Sequence, residues 1–247
     1  MAQANGAQEE VLAALDRTVG RGTARIEFHE STDPAGMTQL LPRGPVSGLM
    51  KHVMKGMETL PNLGRRAVGF IDFAGHRCML DYPDRSAQAT LIVGNRRWEG
   101  HPGTHIGGRP KRRASLSPVW LVDLLRGVDQ AQRRAEEVLD GNACRRFSVH
   151  ANVGRADKAV PYDLVQRREW ARRRARRSAS NLWSDPGRIP LEVWMDGEDQ
   201  IRRVRCETAR RALILTLDLA DFAIDQPLDW SRFPSFNEGR KARGLRE

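Results

Sequence analysis

The chain has 247 residues, of which 40% are hydrophobic, 29% charged and 6% aromatic, and its formal net charge is +10. This composition excludes a collagen, a coiled-coil rod, a small disulfide-stapled protein and a fully disordered chain. A chain of this length buries roughly 70–75% of the surface that it exposes when unfolded. We therefore expect one folded domain spanning residues 1–247.

The first elements show two different periods. Residues 7–19 carry apolar side chains at helical spacing and are followed by Gly20, which predicts a short amphipathic helix. Residues 23–31 alternate instead, which predicts a half-buried strand. Its apolar face carries Ala24, Ile26 and Phe28, and its other face Arg25, Glu27 and His29. A second amphipathic helix, rich in methionine, is predicted over residues 49–60.

The rest of the chain is dominated by short alternating segments separated by turn residues. Ser117 followed by Pro118 is the signature of a helix start, and it predicts one helix in the middle of the chain. Asp140-Gly141 and Asp196-Gly197 are typical hairpin turns. The predicted strands cover residues 67–74, 77–82, 89–93, 96–99, 137–139, 143–152, 189–195, 201–206 and 211–222. This order predicts an α+β domain with one strongly curved antiparallel sheet of about nine or more strands.

A basic segment over residues 155–188 interrupts the strand pattern, and we predict that it is a helical insertion. Residues 155–185 contain eight Arg and one Lys against four acidic residues, a net charge of +5. Such a helix is suited to phosphate groups or to an anionic membrane surface. A basic tail is also predicted at residues 231–247. The candidate anion-binding residues are Arg167, Arg168, Arg172, Arg173, Arg174, Arg176 and Arg177.

Nucleic-acid binding is an alternative use of the same charge. The loop Gly108-Arg109-Pro110 is similar to the basic tripeptide that lies in the minor groove of DNA, and arginines drive salt-dependent binding to phosphates. Nucleic-acid readers also use aromatic side chains that stack on bases. The basic helix offers only Trp170 for that purpose, so we favour contact with a membrane or a partner.

The sequence gives no indication of an enzyme, a metal site or a cofactor. It has no GxSxG, P-loop or GxGxxG motif, and His101 and His105 lie four apart in a Pro/Gly-rich stretch that does not predict a helix. Aspartates such as Asp81 and Asp218 fall at strand ends, where a structural role is expected. Three widely spaced cysteines are interpreted as core residues. We predict a non-enzymatic monomer.

The last hairpin and the last strand resemble those of LolA-like proteins, in particular the actinobacterial LppX/LprG-type lipoproteins. The hairpin runs from Leu191 to Val204 (LEVWMDGEDQIRRV), and the strand ends in Leu217–Phe222 (LDLADF). Three further pieces follow the same order: Gly69–Asp72, the strand Leu91–Gly94 with Trp98 after it, and the helix that begins at Ser117. The resemblance covers residues 20–155 and 188–230.

This resemblance implies a half-open β-barrel with helices on its concave side, which holds the acyl chains of a lipid and performs no chemistry on them. It implies a lipid or another hydrophobic small molecule as the partner. The cavity would be lined by apolar residues of the sheet and the helices, namely Ile26, Phe28, Met50, Met54, Met57, Phe70, Val119, Trp120 and Leu124.

The predicted compartment depends on the N-terminus. LolA-like proteins are exported and often lipid-anchored, whereas Met1–Glu10 is polar and contains no apolar leader or lipobox cysteine. The sequence as written therefore predicts a cytoplasmic protein, and an N-terminus further upstream would predict an extracytoplasmic one.

Overall fold

In a computed structural model of the protein, the described residues are 2–32, 64–83, 88–93, 96–100, 117–159, 187–207 and 213–224. They form three helices: α1 (Ala2–Gly20), α2 (Pro118–Leu125) and α3 (Val153–Ala159). They also form eleven strands. These are β1 (Thr23–Thr32), β2 (Arg65–Asp72), β3 (Arg77–Tyr82), β4 (Gln88–Val93), β5 (Arg96–Gly100), β6 (Val128–Arg133), β7 (Glu137–Leu139), β8 (Asn142–Asn152), β9 (Arg188–Met195), β10 (Ile201–Glu207) and β11 (Leu213–Ala220).

All eleven strands belong to one antiparallel sheet in the order β5-β4-β3-β2-β1-β11-β10-β9-β8-β6, and β7 pairs with β8 beside β6. The first and last strands meet at the centre, where Phe28 lies opposite Leu217. The sheet is open, with β5 at one edge and β6 and β7 at the other. The prediction of an α+β fold with a large curved antiparallel sheet, a half-open barrel, is confirmed.

The curvature of the sheet follows from the contacts of α2. This helix contacts β3 on one side of the sheet and β8 and β10 on the other. β3 and β8 are six strands apart in the sheet order, which would separate them by about 29 Å in a flat sheet. The eight residues of α2 span only about 12 Å. The sheet therefore wraps around α2, and its concave face is the face on which α1 and α2 pack.

The hydrophobic core lies between the concave face of the sheet and the helices that pack on it. Every residue of α2 is buried, and Phe147 of β8, with no exposed surface, is among the largest side chains in the interior. The apolar face of β1, predicted from its alternation, belongs to the same cluster. Other members come from nearly every strand, among them Ala67, Ile71, Leu80, Ile92, Val128, Val149, Leu191, Val193, Val204, Leu215 and Leu217.

Hydrogen bonds fix α1 to the core. The Thr18 hydroxyl donates to the Ala14 carbonyl at 2.8 Å and accepts the Ile201 N–H at 2.9 Å, which connects the helix to the start of β10. Near the other end of the helix, the Gln8 side-chain amide donates to the Val128 carbonyl at 3.0 Å. Because both bonds reach strands beyond β11 in the sheet order, α1 lies over the half of the concave face formed by β6, β8 and β10.

A charged cluster adds to this attachment of α1. Arg145 of β8 pairs with Glu10 of α1 and with Asp199 in the β9–β10 turn, and Asp199 also pairs with Arg17 of α1. The hydrogen bond from Arg145 lowers the pKa of the Asp199 carboxyl. One turn and one helix are thereby held to the same strand.

Two glycines are required by the local backbone. A β-carbon on Gly69 would lie 1.8 Å from the Met79 carbonyl oxygen, so β2 and β3 approach closely at this point only because the side chain is absent. Asp140 and Gly141 have φ angles of +50° and +82°, as a two-residue hairpin turn with both central residues in the left-handed region requires. The hairpin predicted at Asp140-Gly141 is present.

Strand β6 is the principal element that the sequence did not predict. Its sequence, VDQAQR, has only Val128 and Ala131 as buried apolar residues, so its alternation is weak.

The predicted basic insertion begins within α3, and residues 160–186 lie outside the described residues. The predicted helix at 49–60, the loop at 108–110 and the tail at 231–247 lie outside them as well. Cys78, Cys144 and Cys206 are buried, as expected, and burial raises the pKa of the Cys78 thiol to about 12. None of the described helices is both long and apolar enough to cross a membrane.

Phe147→Ala should destabilise the protein by about 3–5 kcal/mol, because it removes a fully buried ring and leaves a cavity against the concave face. Urea unfolding followed by circular dichroism measures the change. Val138→Ala is the control, since Val138 is 68% exposed and its truncation should change stability by less than about 0.5 kcal/mol. A loss at Phe147 as small as at Val138 would contradict the assignment of this face as the core.

Asp199→Asn should lower the unfolding midpoint in urea at pH 7, and the difference from the wild type should narrow as the pH falls. The folded-state pKa of Asp199 is lowered by Arg145, so its stabilising effect is present above the unfolded-state pKa of about 3.9 and is lost as the pH falls through the folded-state value. Asp16→Asn, on the exposed surface of α1, is the control. Equal effects of the two substitutions at every pH would show that the cluster does not hold α1.

Candidate functional site

The convex face of the sheet, which turns away from α1 and α2, contains a pocket of about 610 Å³ over the central strands. Because side chains alternate along a strand, its lining comes mainly from the positions between those that build the core. These described lining residues come from β1, β2, β3, β10, β11 and the β7–β8 turn: Arg25, Ile26, Glu27, His29, Arg66, Val68, Gly69, Phe70, Asp81, Asp140, Arg203, Asp218 and Ala220.

One wall of the pocket is apolar. Val68 and Phe70 project from β2 on the convex face, and the register places Phe70 opposite Met79 of β3. Met79 in turn lies opposite Leu91, which lies opposite Trp98 at the edge strand. The apolar wall is therefore the end of a continuous row of hydrophobic side chains that crosses four strands, and the outer members of this row, Leu91 and Trp98, are buried in a cluster separate from the main core.

The centre of the pocket is formed by an ion cluster on β1 and β2. Arg66 donates two hydrogen bonds to the Glu27 carboxylate, at 2.7 and 2.8 Å, and His29 Nε2 lies 2.5 Å from the same carboxylate. The hydrogen bond from Arg66 is the main reason that the pKa of Glu27 is lowered. Glu27 is therefore a carboxylate at neutral pH, with its charge balanced by Arg66.

The opposite wall is also charged and internally paired. Arg203 of β10 bonds to Asp218 of β11 and lies beside the Trp194 ring, 6.0 Å from its centroid. Arg25 of β1 pairs with Asp221, which follows β11. Both arginines of this wall are therefore already paired with a carboxylate of the protein.

The β7–β8 hairpin bounds the pocket beyond β10. The indole N–H of Trp194 donates to the Glu137 carboxylate at 2.9 Å, which ties β7 to the convex face of β9. This bond brings the turn residue Asp140 to the pocket edge. The pKa of the Arg203 guanidinium is raised mainly by the hydrogen bond that it donates to Asp218, and the charge of Asp140 contributes to the same shift.

Asp81 of β3 is the remaining acidic group of the pocket. Its cross-strand neighbours are Val68 on β2 and Ala89 on β4, both apolar. Burial raises the pKa of the Asp81 carboxyl. Its surroundings thus differ from those of Glu27 and Asp218, which lie next to arginines.

The structure divides the predicted cavity residues between the two faces. Five of the six described ones, namely Ile26, Phe28, Val119, Trp120 and Leu124, belong to the packed core of the concave face. The sixth, Phe70, lines the convex-face pocket, and Ile26 is also one of the residues that line it. Met50, Met54 and Met57 lie outside the described residues, as do the candidate anion-binding arginines, Arg167, Arg168, Arg172, Arg173, Arg174, Arg176 and Arg177.

Of the residues that line this pocket, only Ile26 and Phe70 are among the cavity residues predicted from the sequence, because that prediction concerns the face covered by helices. A signal was present in β1, where Arg25, Glu27 and His29 alternate with the apolar residues. Three charged or titratable positions on one face of a central strand require partners. Glu27 finds Arg66 on the neighbouring strand, and Arg25 finds Asp221 just after β11. The partner Arg66 could be assigned only once the pairing of β1 with β2 was known.

The described residues show little that is suited to catalysis. Among them, no group of three or more His, Cys, Asp or Glu side chains could hold a metal ion. A second pocket beside α2 contains a buried Asp123, 3.4 Å from Nδ1 of His76, and has a volume of only about 10 Å³. That volume accommodates about one water molecule, so this pair is not placed to act on a substrate.

No protein-family model and no curated protein matches the chain. Three similar solved structures are the lipoprotein LppX of Mycobacterium tuberculosis, LprF of Mycobacterium bovis and a LolA superfamily protein of Nitrosomonas europaea. LppX is 12% identical with a TM-score of 0.48, covering 91% of this chain and 99% of its own. LprF is 10% identical with a TM-score of 0.46, covering 91% of this chain and 96% of its own. The Nitrosomonas protein is 11% identical with a TM-score of 0.38, covering 90% of this chain and 94% of its own. At these identities and TM-scores the likeness concerns the overall fold alone.

Proposed function

We propose that the protein binds an amphiphilic molecule with an acyl chain in the convex-face pocket and performs no chemistry on it. The observation that carries the proposal is the pocket itself, whose volume of about 610 Å³ is within the range of about 300–1,000 Å³ typical of small-molecule sites. Its position over the central strands, where the sheet is fixed on both sides by neighbours, provides a rigid floor for a ligand.

The chemistry of the walls favours an amphiphile over a purely polar ligand. Val68 and Phe70 offer apolar surface on one side, and the Glu27–Arg66 pair offers charged groups on the other. Each methylene that leaves water for such an apolar wall contributes about 0.8 kcal/mol. A hydrocarbon chain against β2 with a polar group towards β1 and β3 would use both walls at once.

The Arg-rich segment fits the same function as a docking element, and we include it in the proposal. Its seven arginines lie within eleven residues, 167–177. Cationic side chains near an anionic bilayer contribute about 1 kcal/mol each. A protein that carries an acyl-chain ligand must reach a membrane to exchange it, and a basic segment supplies that attraction without any contact with the ligand.

Phe70→Ala should weaken the binding of decan-1-ol, a neutral probe for the apolar wall, by about ten-fold, because part of the ring's apolar contact with the chain is lost. Isothermal titration calorimetry measures the dissociation constant. Val138→Ala, on the exposed edge strand, is the matched control and should bind as the wild type does.

Urea unfolding of Phe70→Ala checks that the fold is retained. If the wild type does not bind decan-1-ol, or if both variants bind it equally well, the pocket is not the hydrophobic site and the proposal is wrong.

Replacing Arg172, Arg173, Arg174, Arg176 and Arg177 by Gln should abolish binding to vesicles of anionic phospholipid and leave the unfolding midpoint nearly unchanged. Removing five positive charges removes most of the electrostatic attraction to the surface. Vesicle co-sedimentation at low and moderate salt measures the effect, and vesicles of zwitterionic lipid are the control.

Nucleic acid is the alternative partner of these arginines, and a duplex DNA titration in the same buffers separates the two. A wild-type protein that ignores anionic vesicles but binds DNA with a steep salt dependence would replace membrane docking by nucleic-acid binding.

A further inference from the structure

The structure assigns a chemical class to the polar part of the ligand: we infer that Asp81 receives a cationic hydrogen-bond donor, so that the pocket selects an amphipathic amine. This inference rests on the proposed function, since it concerns the same pocket. It follows from which charges of the pocket are already paired and which are not.

Within the described part of the chain, the carboxylate of Asp81 has no hydrogen bond and no ion pair. The strands on either side present Val68 and Ala89 to it. Burying a carboxylate beside apolar groups without a partner is unfavourable. A ligand group that donates hydrogen bonds to Asp81 removes that cost, and this contributes to the affinity for such a ligand.

The arginines of the pocket are not available in the same way. Arg66 is bound to Glu27 through two hydrogen bonds, Arg203 to Asp218, and Arg25 to Asp221. An anionic head group would therefore approach guanidinium groups whose positive charge is already balanced by a carboxylate. The free charge of the pocket is therefore negative, although the whole chain carries a net charge of +10.

A primary alkylamine fits this arrangement. Its pKa is close to that of a lysine side chain, about 10.4, so it is protonated at neutral pH and offers three donors. Its alkyl chain can lie against Val68 and Phe70 while the ammonium group meets Asp81, because Val68 and Asp81 are direct cross-strand neighbours. Hydrogen bonds between two charged groups are about twice as strong as neutral ones.

Three probes with the same chain test the inference: decylamine, decan-1-ol and decanoate, each titrated by calorimetry below its micelle concentration. They differ only in carrying a positive, a neutral or a negative polar group. The proteins are the wild type, Asp81→Asn and the control Glu136→Gln, which removes an exposed carboxylate outside the pocket.

We expect the wild type to bind decylamine at least about ten-fold more tightly than decan-1-ol, as a hydrogen bond to a charged group predicts. Asp81→Asn should lose this preference and bind decan-1-ol as before, and Glu136→Gln should behave as the wild type.

Two results would overturn the inference: decanoate binding as tightly as decylamine, or an unchanged affinity of Asp81→Asn for decylamine. Binding of decan-1-ol that depends on Phe70 but shows no preference for the amine would leave the proposed function standing and remove the inference alone. Asp81→Asn should unfold at the same urea concentration as the wild type or a higher one, since an unpaired charge is removed. A loss of amine binding with a lowered midpoint would instead indicate a damaged fold, and Asp81→Ser then repeats the test.

Discussion

The rest of the structure depends on one constraint: the open sheet curves around α2. Eight consecutive residues of this helix are buried, and they contact strands from both sides of the sheet. On the concave face of the sheet, α2 fills the space that a half-open barrel encloses. α1 lies beside it over β6, β8 and β10. In the described part of the chain, the pocket of about 610 Å³ lies on the opposite face, whose side chains belong to the same strands.

Much of the fold could be predicted because each strand has one face in the core. In β11 the leucines at 215, 217 and 219 are buried and the residues between them are not, and that alternation is legible in the sequence. β6 could not be predicted in this way, since an edge strand with two buried side chains leaves little periodic signal. Its place in the sheet is set by β8 and α1, which lie elsewhere in the sequence.

The candidate site was less predictable because the two-residue alternation of a strand does not show which face of the sheet packs against helices. Ile26 and Glu27 are adjacent in sequence, and the interior position of Ile26 depends on helices that approach from one side. Pairing of charges depends on register as well. Glu27 faces Val68 directly and meets Arg66 on the diagonal, so a shift of one residue would leave the cluster unpaired and move its members into the core.

The central pair of strands, β1 and β11, comes from the two ends of the chain, and this has a consequence for synthesis. On the ribosome, β1 to β5 emerge first and can pair with one another, but β1 keeps an unpaired edge until β11 has left the exit tunnel. A long open edge of this kind is the place where strands of other chains add, and contacts between distant segments form slowly. Until β11 is available for pairing, the nascent protein thus carries an open strand edge at the centre of its sheet.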